Sequence, residues 1–368
     1  MNPLNSRRTR RTPAWLVGLL LLAAALVGPA APAAADPAGP TDYRTEIVAV
    51  EPATPQIELA ILGGDSFVQL VAQPGTEVMV TGYRGEQYLW FQADGTVRQN
   101  ELAPSRWLND DRFGEAVIPP EADALAKPEW TVVADDGRYA WHDHRAHWMN
   151  TARPIGAEPG DVILEAVIPL EVDGEPVSVQ VRSELLAAPS PLPAILGAAA
   201  ALVGGVLLLA RWRRGSPSSA GSESPAGPSI GSLAVLALMV VVAALATYAG
   251  VAAVQGLPAE AAPGAILWLL PLVAALAGAA AIVVVRGERL AKPMRVLVVQ
   301  LALVLASFEL LLWAWLRREA LLRALIPTEA PQWLDRAVVA GAAAAGLVAL
   351  AAAAATIMER RPAPPPTR

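Results

Sequence analysis

All three histidines of this 368-residue chain fall within six residues, in the stretch Tyr139-Ala140-Trp141-His142-Asp143-His144-Arg145-Ala146-His147-Trp148-Met149. Histidine is the commonest metal ligand and the only side chain that titrates near neutrality when unperturbed. Short His-rich tracts are therefore metal-binding candidates. If Tyr139 to His144 is extended, His142 and His144 point to one face, because side chains repeat every two residues. Asp143 then points the other way, where it could orient a ring nitrogen from behind or pair with Arg145. A turn at Arg145–Ala146 would bring His147 back to the same place, and Met149 is the next donor. Three imidazoles and a thioether suit copper in either oxidation state better than calcium or magnesium. Zinc would use the three histidines alone. Trp141 and Trp148 are placed to shield such a site from solvent. The competing reading is a knot of hydrogen bonds and aromatic packing that holds a β-domain together without a ligand.

Few other residues offer chemistry. The chain has no cysteine, which excludes disulfides, thiolate metal sites and a cysteine nucleophile. Gly63-Gly64-Asp65-Ser66 resembles the Gly-Asp-Ser block of a serine-hydrolase family, but such a serine needs a histidine base. The nearest pair, Asp143 and His147, is spaced one residue too far for that family's Asp-x-x-His element, and a turn explains the sequence better. Glu309 and Gln300 lie inside an apolar run, and a membrane carboxylate is a candidate proton or cation relay. At helical spacing Gln300 shares a face with Ser307, and Glu309 lies nearly opposite. No phosphate loop, dinucleotide fingerprint or basic nucleic-acid patch is present. A catalytic role is not the expectation.

The elements that must position these residues divide the chain. It is 54% hydrophobic and only 17% charged, the composition of a membrane protein. Residues 1–35 read as a secretory signal peptide: Arg7, Arg8, Arg10 and Arg11, then an apolar run, then Ala33-Ala34-Ala35 before Asp36. Residues 36–190 carry 26 Asp and Glu against 10 Lys and Arg, a net of −16 in a chain of net −6. This acidic part is expected to be an extracytoplasmic domain. Within 191–358, five apolar runs predict transmembrane helices at 192–210, 230–254, 264–285, 296–316 and 337–358. The tail 359–368 is proline-rich and basic and is expected to be disordered and cytoplasmic.

Basic residues at Arg211–Arg214, at Arg286–Arg295 and at Arg360–Arg361 place those ends in the cytoplasm and leave 36–190 outside. Arg317, Arg318, Arg323 and Arg336 oppose this, because they fall in a loop that the same scheme puts outside. Gly215–Ser229 is a flexible connector rich in Ser, Gly and Pro.

Residues 44–183 show short β-rich runs separated by turn signals. Asp94-Gly95, Asp135-Asp136-Gly137 and Asp173-Gly174 each predict a hairpin. The expected fold class is all-β, an immunoglobulin-like sandwich, followed by an α-helical bundle of five spans. Leu102–Pro128 is a long excursion over one end of the sandwich.

Several pieces together resemble a group of uncharacterised actinobacterial membrane proteins. They are Gly82-Tyr83-Arg84-Gly85-Glu86-Gln87-Tyr88-Leu89, Asp94-Gly95-Thr96-Val97, Asn109-Asp110-Asp111-Arg112-Phe113-Gly114, Pro128-Glu129-Trp130 and the His/Trp stretch itself. The resemblance covers roughly residues 40–190. It implies a signal peptide, an exported β-rich domain and a helical membrane part, and it carries no activity. The functional expectation is a membrane-anchored metal-binding protein that handles copper through His142, His144, His147 and Met149. Its alternative is a non-catalytic cell-envelope interaction protein whose His/Trp cluster is structural. The implied partners are the lipid bilayer and either a metal ion or an envelope protein, with no nucleic acid.

Overall fold

Period-two burial dominates the first half of the chain. In the strand Glu175–Leu185, Val177, Val179, Val181, Ser183 and Leu185 are buried, while most of the residues between them are not. A strand with one dry face must pair and then cover that face. Ten strands do so among the described residues of this computed structural model, which are 36–215, 228, 230–287 and 289–358. The expected signal peptide, most of the Gly215–Ser229 connector and the tail lie outside the described residues.

The strands are β1 (Tyr43–Glu51), β2 (Ile57–Leu62), β3 (Phe67–Ala72), β4 (Val78–Thr81), β5 (Gln87–Phe91), β6 (Val97–Asn100), β7 (Trp130–Ala134), β8 (Arg138–His142), β9 (Val162–Val172) and β10 (Glu175–Leu185), with a short helix α1 (Pro104–Leu108) after β6. A seven-stranded sheet has the order β1-β10-β9-β4-β5-β6-β7, and a three-stranded sheet has the order β2-β3-β8. All pairings are antiparallel. Val68, Leu70 and Trp141 from the small sheet share one core with Leu89, Phe91, Ile168 and Val179 from the large one. Each such side chain contributes about 1.5–3 kcal/mol by leaving water. The result is a β-sandwich with its strands divided seven and three, not in the arrangement of an immunoglobulin domain.

Two of the three Asp-Gly signals form hairpins, β5–β6 and β9–β10. At Asp173-Gly174 both residues have positive φ, 51° and 85°, as a tight hairpin turn requires. The third is different. Asp135-Asp136-Gly137 carries the chain from β7 in the large sheet to β8 in the small one, so these two strands do not pair. Gly137, at φ 72°, donates its N–H to Gly95 and accepts from Ala72, so one residue stitches both sheets together. Local turn chemistry specifies the reversal, while the long-range partners decide which sheet receives it.

The second half forms the helices α2 (Leu192–Gly215), α3 (Ile230–Gln255), α4 (Ile266–Arg286), α5 (Lys292–Leu316), α6 (Glu319–Leu322) and α7 (Gln332–Met358). All but α6 are long and apolar enough to cross a membrane, which marks a multi-pass membrane protein. The helices α5 and α7 begin four and five residues before the apolar runs that signal them, because each adds a polar first turn at Lys292–Arg295 and Gln332–Arg336. Small residues let the helices approach closely: a Cβ on Gly250 of α3 would collide with the main chain of Leu267 in α4.

The β-domain is bolted to one end of the bundle. Thr41 and Leu325 exchange both main-chain hydrogen bonds, each 2.9 Å, as an antiparallel bridge. Beside it Asp42, 2% exposed, accepts from Arg323 (3.0 Å), Arg153 (3.2 Å) and the Ala324 N–H (3.0 Å). Arg336 donates to the carbonyls of Arg323 and Ala324, and Arg317 pairs with Asp335. Ala38 donates to the carbonyl of Ala261, and Phe67 and Ala140 on the back of the small sheet pack with both alanines. Of the four arginines that opposed the charge rule, Arg323 meets the β-domain directly and Arg336 braces the segment that carries it.

Replacing Asp42 removes acceptors from two half-exposed guanidiniums and one main-chain N–H. Asp42→Ala is expected to destabilise the joint by about 2 kcal/mol. In limited proteolysis of the full-length protein, cleavage between residues 317 and 331 should accelerate roughly 30-fold. Unchanged cleavage would show that Asp42 does not hold the two parts together.

Candidate functional site

The strand β8 ends at His142, and the chain then turns. The carboxylate of Asp143 accepts from the main-chain N–H of Arg145 (3.1 Å), and the Asp143 carbonyl accepts from Ala146 (2.8 Å). Such side-chain capture of a backbone N–H competes with continued strand. His144 therefore leaves the strand, contrary to an extended Tyr139–His144. Asp143 is fully buried and is held by the Trp141 indole (3.0 Å) and the Arg145 guanidinium (2.8 Å to each oxygen). Arg145 also donates to the carbonyl of Thr81 and lies 5.0 Å over the Tyr83 ring.

The histidine rings come close to one another without sharing a donor point. His147 lies 6.1 Å from His142 and 5.3 Å from His144, centroid to centroid, both edge-on. In His142, Nδ1 is 2.7 Å from the Ser66 carbonyl and Nε2 is 2.6 Å from the Asp36 carbonyl. A carbonyl oxygen at that distance covers each nitrogen, although a neutral imidazole has one N–H and donates to only one of the two. Burial lowers the His142 pKa below the ordinary value, against the pull of the two carbonyls. In His144, Nε2 faces the Asp111 carbonyl at 2.9 Å, and the ring stacks on Tyr83 at 5.6 Å. Its pKa is also lowered by burial. In His147, Nδ1 reaches only the carbonyl of Trp148, at 3.3 Å, and Nε2 is buried with no partner. Burial, with Arg112 nearby, pushes its pKa down to about 3.

Met149 sits by the same rings: a Cβ on Gly114 would lie 2.9 Å from its methyl and 3.3 Å from the His144 ring edge. Trp148 donates to Ala152, and Trp141 is 3% exposed. Among the described residues no group of three His, Asp or Glu is placed to hold a metal ion. Glu309 and Gln300 belong to α5, in the membrane part, and not to this cluster.

Sequence reasoning did not single out Arg112 and Asp65 as a pair. Arg112 grips both carboxylate oxygens of Asp65, at 2.8 and 2.7 Å, and its other nitrogen donates to Ser66 Oγ. Thr41 also donates to Asp65, at 3.2 Å. Ser66 is fully buried, and His142 meets its carbonyl rather than its hydroxyl, so no hydrolase nucleophile is assembled. Arg112 lies in the Leu102–Pro128 excursion, and Asp65 in the Gly-Gly-Asp-Ser turn. Their sequence signal was a polar residue in each of two loops, and nothing local linked them.

No family model, curated protein or solved structure matches this chain. What the cluster does must come from its own geometry. That geometry gathers carbonyls from three separate segments around His142 and His144.

The low pKa of His147 fixes a sign. From its ordinary value of 6.5 down to about 3, the unfolded chain takes up a proton here that the folded one does not. Folding stability should be level in this term above about pH 7.5 and fall as pH drops through 6.5, by up to roughly 1.4 kcal/mol per pH unit. Chemical denaturation at several pH values between about 7.5 and 5 checks this, with His147→Phe expected to flatten the acid limb. An identical slope in the variant would contradict it.

Proposed function

We propose that this chain is a multi-pass cell-envelope protein. In this reading its β-sandwich lies on the extracytoplasmic side as a rigid, non-catalytic interaction module, and the His/Trp cluster is its internal knot. The observation that carries the reading is the approach of the Asp36, Ser66 and Asp111 carbonyls to both nitrogens of His142 and to Nε2 of His144. These carbonyls belong to the segment before β1, the β2–β3 turn and the excursion after α1. A cluster that joins three such segments has a structural use that needs no ligand. The outward placement is supported by the net −16 of residues 36–190 and by basic residues beyond the opposite helix ends, at Arg211–Arg214 and Arg286–Arg295. Arg317, Arg318, Arg323 and Arg336 count against it under the same rule, and Arg323 among them is bound to Asp42.

One observation favours copper handling as a second reading: the bare Nε2 of His147, with His144 and the Met149 methyl beside it. A metal held by all three rings would require His142 to leave its carbonyls, whereas His144 meets the Asp111 carbonyl through Nε2 alone.

The two readings part in one experiment on the full-length purified protein. The His142→Ala/His144→Ala variant should lose about 2–5 kcal/mol of folding stability. Neither form should bind Cu(I), Cu(II) or Zn(II) at micromolar concentration. Stoichiometric binding that the variant lacks, with stability little changed, would replace the structural reading with metal handling.

A further inference from the structure

Away from the helix ends, Glu309 is the one acidic residue in the described long helices. It lies seven residues from the end of α5 nearest the β-domain, roughly 10 Å in along the axis. The residue is 5% exposed, and its Oε2 has no hydrogen-bond partner. Among the described residues no cation pairs with it. The helices packed on α5 offer none at its level. The helix α3 carries only Tyr248 as a titratable group, α4 only Arg286 at its far end, and α7 only Asp335 and Arg336 in its first turn. Within α5 itself the charges are Lys292 and Arg295, at the opposite end. An ionised carboxylate so placed has neither water nor a counter-charge, a state that costs several kcal/mol.

The face of α5 around Glu309 is apolar. At helical spacing it holds Ala302, Leu305, Ala306 and Trp313. Ser307 is turned away and donates to the Gly346 carbonyl of α7 at 2.8 Å. A metal cation needs several oxygens around it, and this face supplies a single carboxyl. A proton needs only one oxygen.

One turn toward the β-domain stands Trp313, fully buried, and its indole donates to the Leu267 carbonyl at 2.6 Å. That carbonyl is free because Pro271, four residues on in α4, has no N–H to give it. The indole therefore spans α4 and α5 directly above the carboxyl, at a break in the α4 hydrogen-bond ladder.

We propose that Glu309 is a proton-binding site within the membrane, exchanging one proton with water at the β-domain end past the Trp313 contact. On release the acid O–H bond breaks, its electron pair stays on the carboxylate, and the proton passes to water. No electron is transferred. This proposal does not depend on the reading of the β-domain.

The test is infrared difference spectroscopy of the full-length protein in liposomes, titrated between about pH 5 and pH 9. The expected result is a protonated-carboxyl C=O band, missing in Glu309→Gln, that disappears as the pH rises. A band that persists throughout, or is never present, would overturn the proposal. If Glu309→Gln does not fold, dicyclohexylcarbodiimide labelling of the unaltered protein serves instead, because this reagent modifies protonated carboxyls in apolar surroundings. Peptide mapping should then place the adduct on Glu309, with a yield falling roughly tenfold per pH unit once the group ionises. No adduct at acid pH, or a yield independent of pH, would overturn it.

Discussion

A buried imidazole must find acceptors for its N–H inside the protein. At His142 two carbonyls converge on the ring, that of Asp36 before β1 and that of Ser66 in the β2–β3 turn. The same turn presents Asp65 to Arg112, which reaches in from the excursion after α1. Thr41 donates to Asp65 and, through its main chain, bridges to Leu325 of the helical part. One connected set of polar contacts thus runs from the histidines to the joint with the bundle. Networks of this kind gain from mutual polarisation and lose heavily when one member is left unpaired. The cluster and the joint are therefore best understood as parts of one device.

Much of this architecture was legible in the chain. Apolar runs of about 20 residues can do little but cross a membrane, and the five long helices lie where those runs lie. The Asp173-Gly174 hairpin was equally readable, because positive φ at both positions selects those residue types. What escaped was long-range. The same turn chemistry at Asp135–Gly137 yields a corner between sheets, since Gly137 bonds Ala72 of one sheet and Gly95 beside the other. Likewise, His142 and His144 on one extended strand was a fair inference from period two, but the Asp143 carboxylate captures the Arg145 N–H and its carbonyl the Ala146 N–H. The Asp65–Arg112 pair joins residues 47 positions apart, and no local pattern announces it.

The arginines at 317–336 show how two physical rules can meet in one loop. Flanking Lys and Arg bias orientation, and nearby acids offset them little. Here Arg317 pairs with Asp335, Arg323 with Asp42 and Glu319, and Arg336 with main-chain carbonyls. The same arginines hold the loop and its contact with the β-domain while still counting, by charge, toward the cytoplasm. Within the bundle, the same economy explains Trp313, whose indole occupies the carbonyl that Pro271 leaves open.

The central claim is that both nitrogens of His142 and Nε2 of His144 lie against the protein's own carbonyls. With only three histidines in the chain, long-range proton–nitrogen correlation spectra of histidine-labelled full-length protein give a readable answer, recorded with and without one equivalent of Cu(I). The account expects the His142 and His144 rings to keep fixed protonation states, unmoved by the metal. Stoichiometric Cu(I) shifting the ring nitrogens of His142, His144 and His147 together would contradict it.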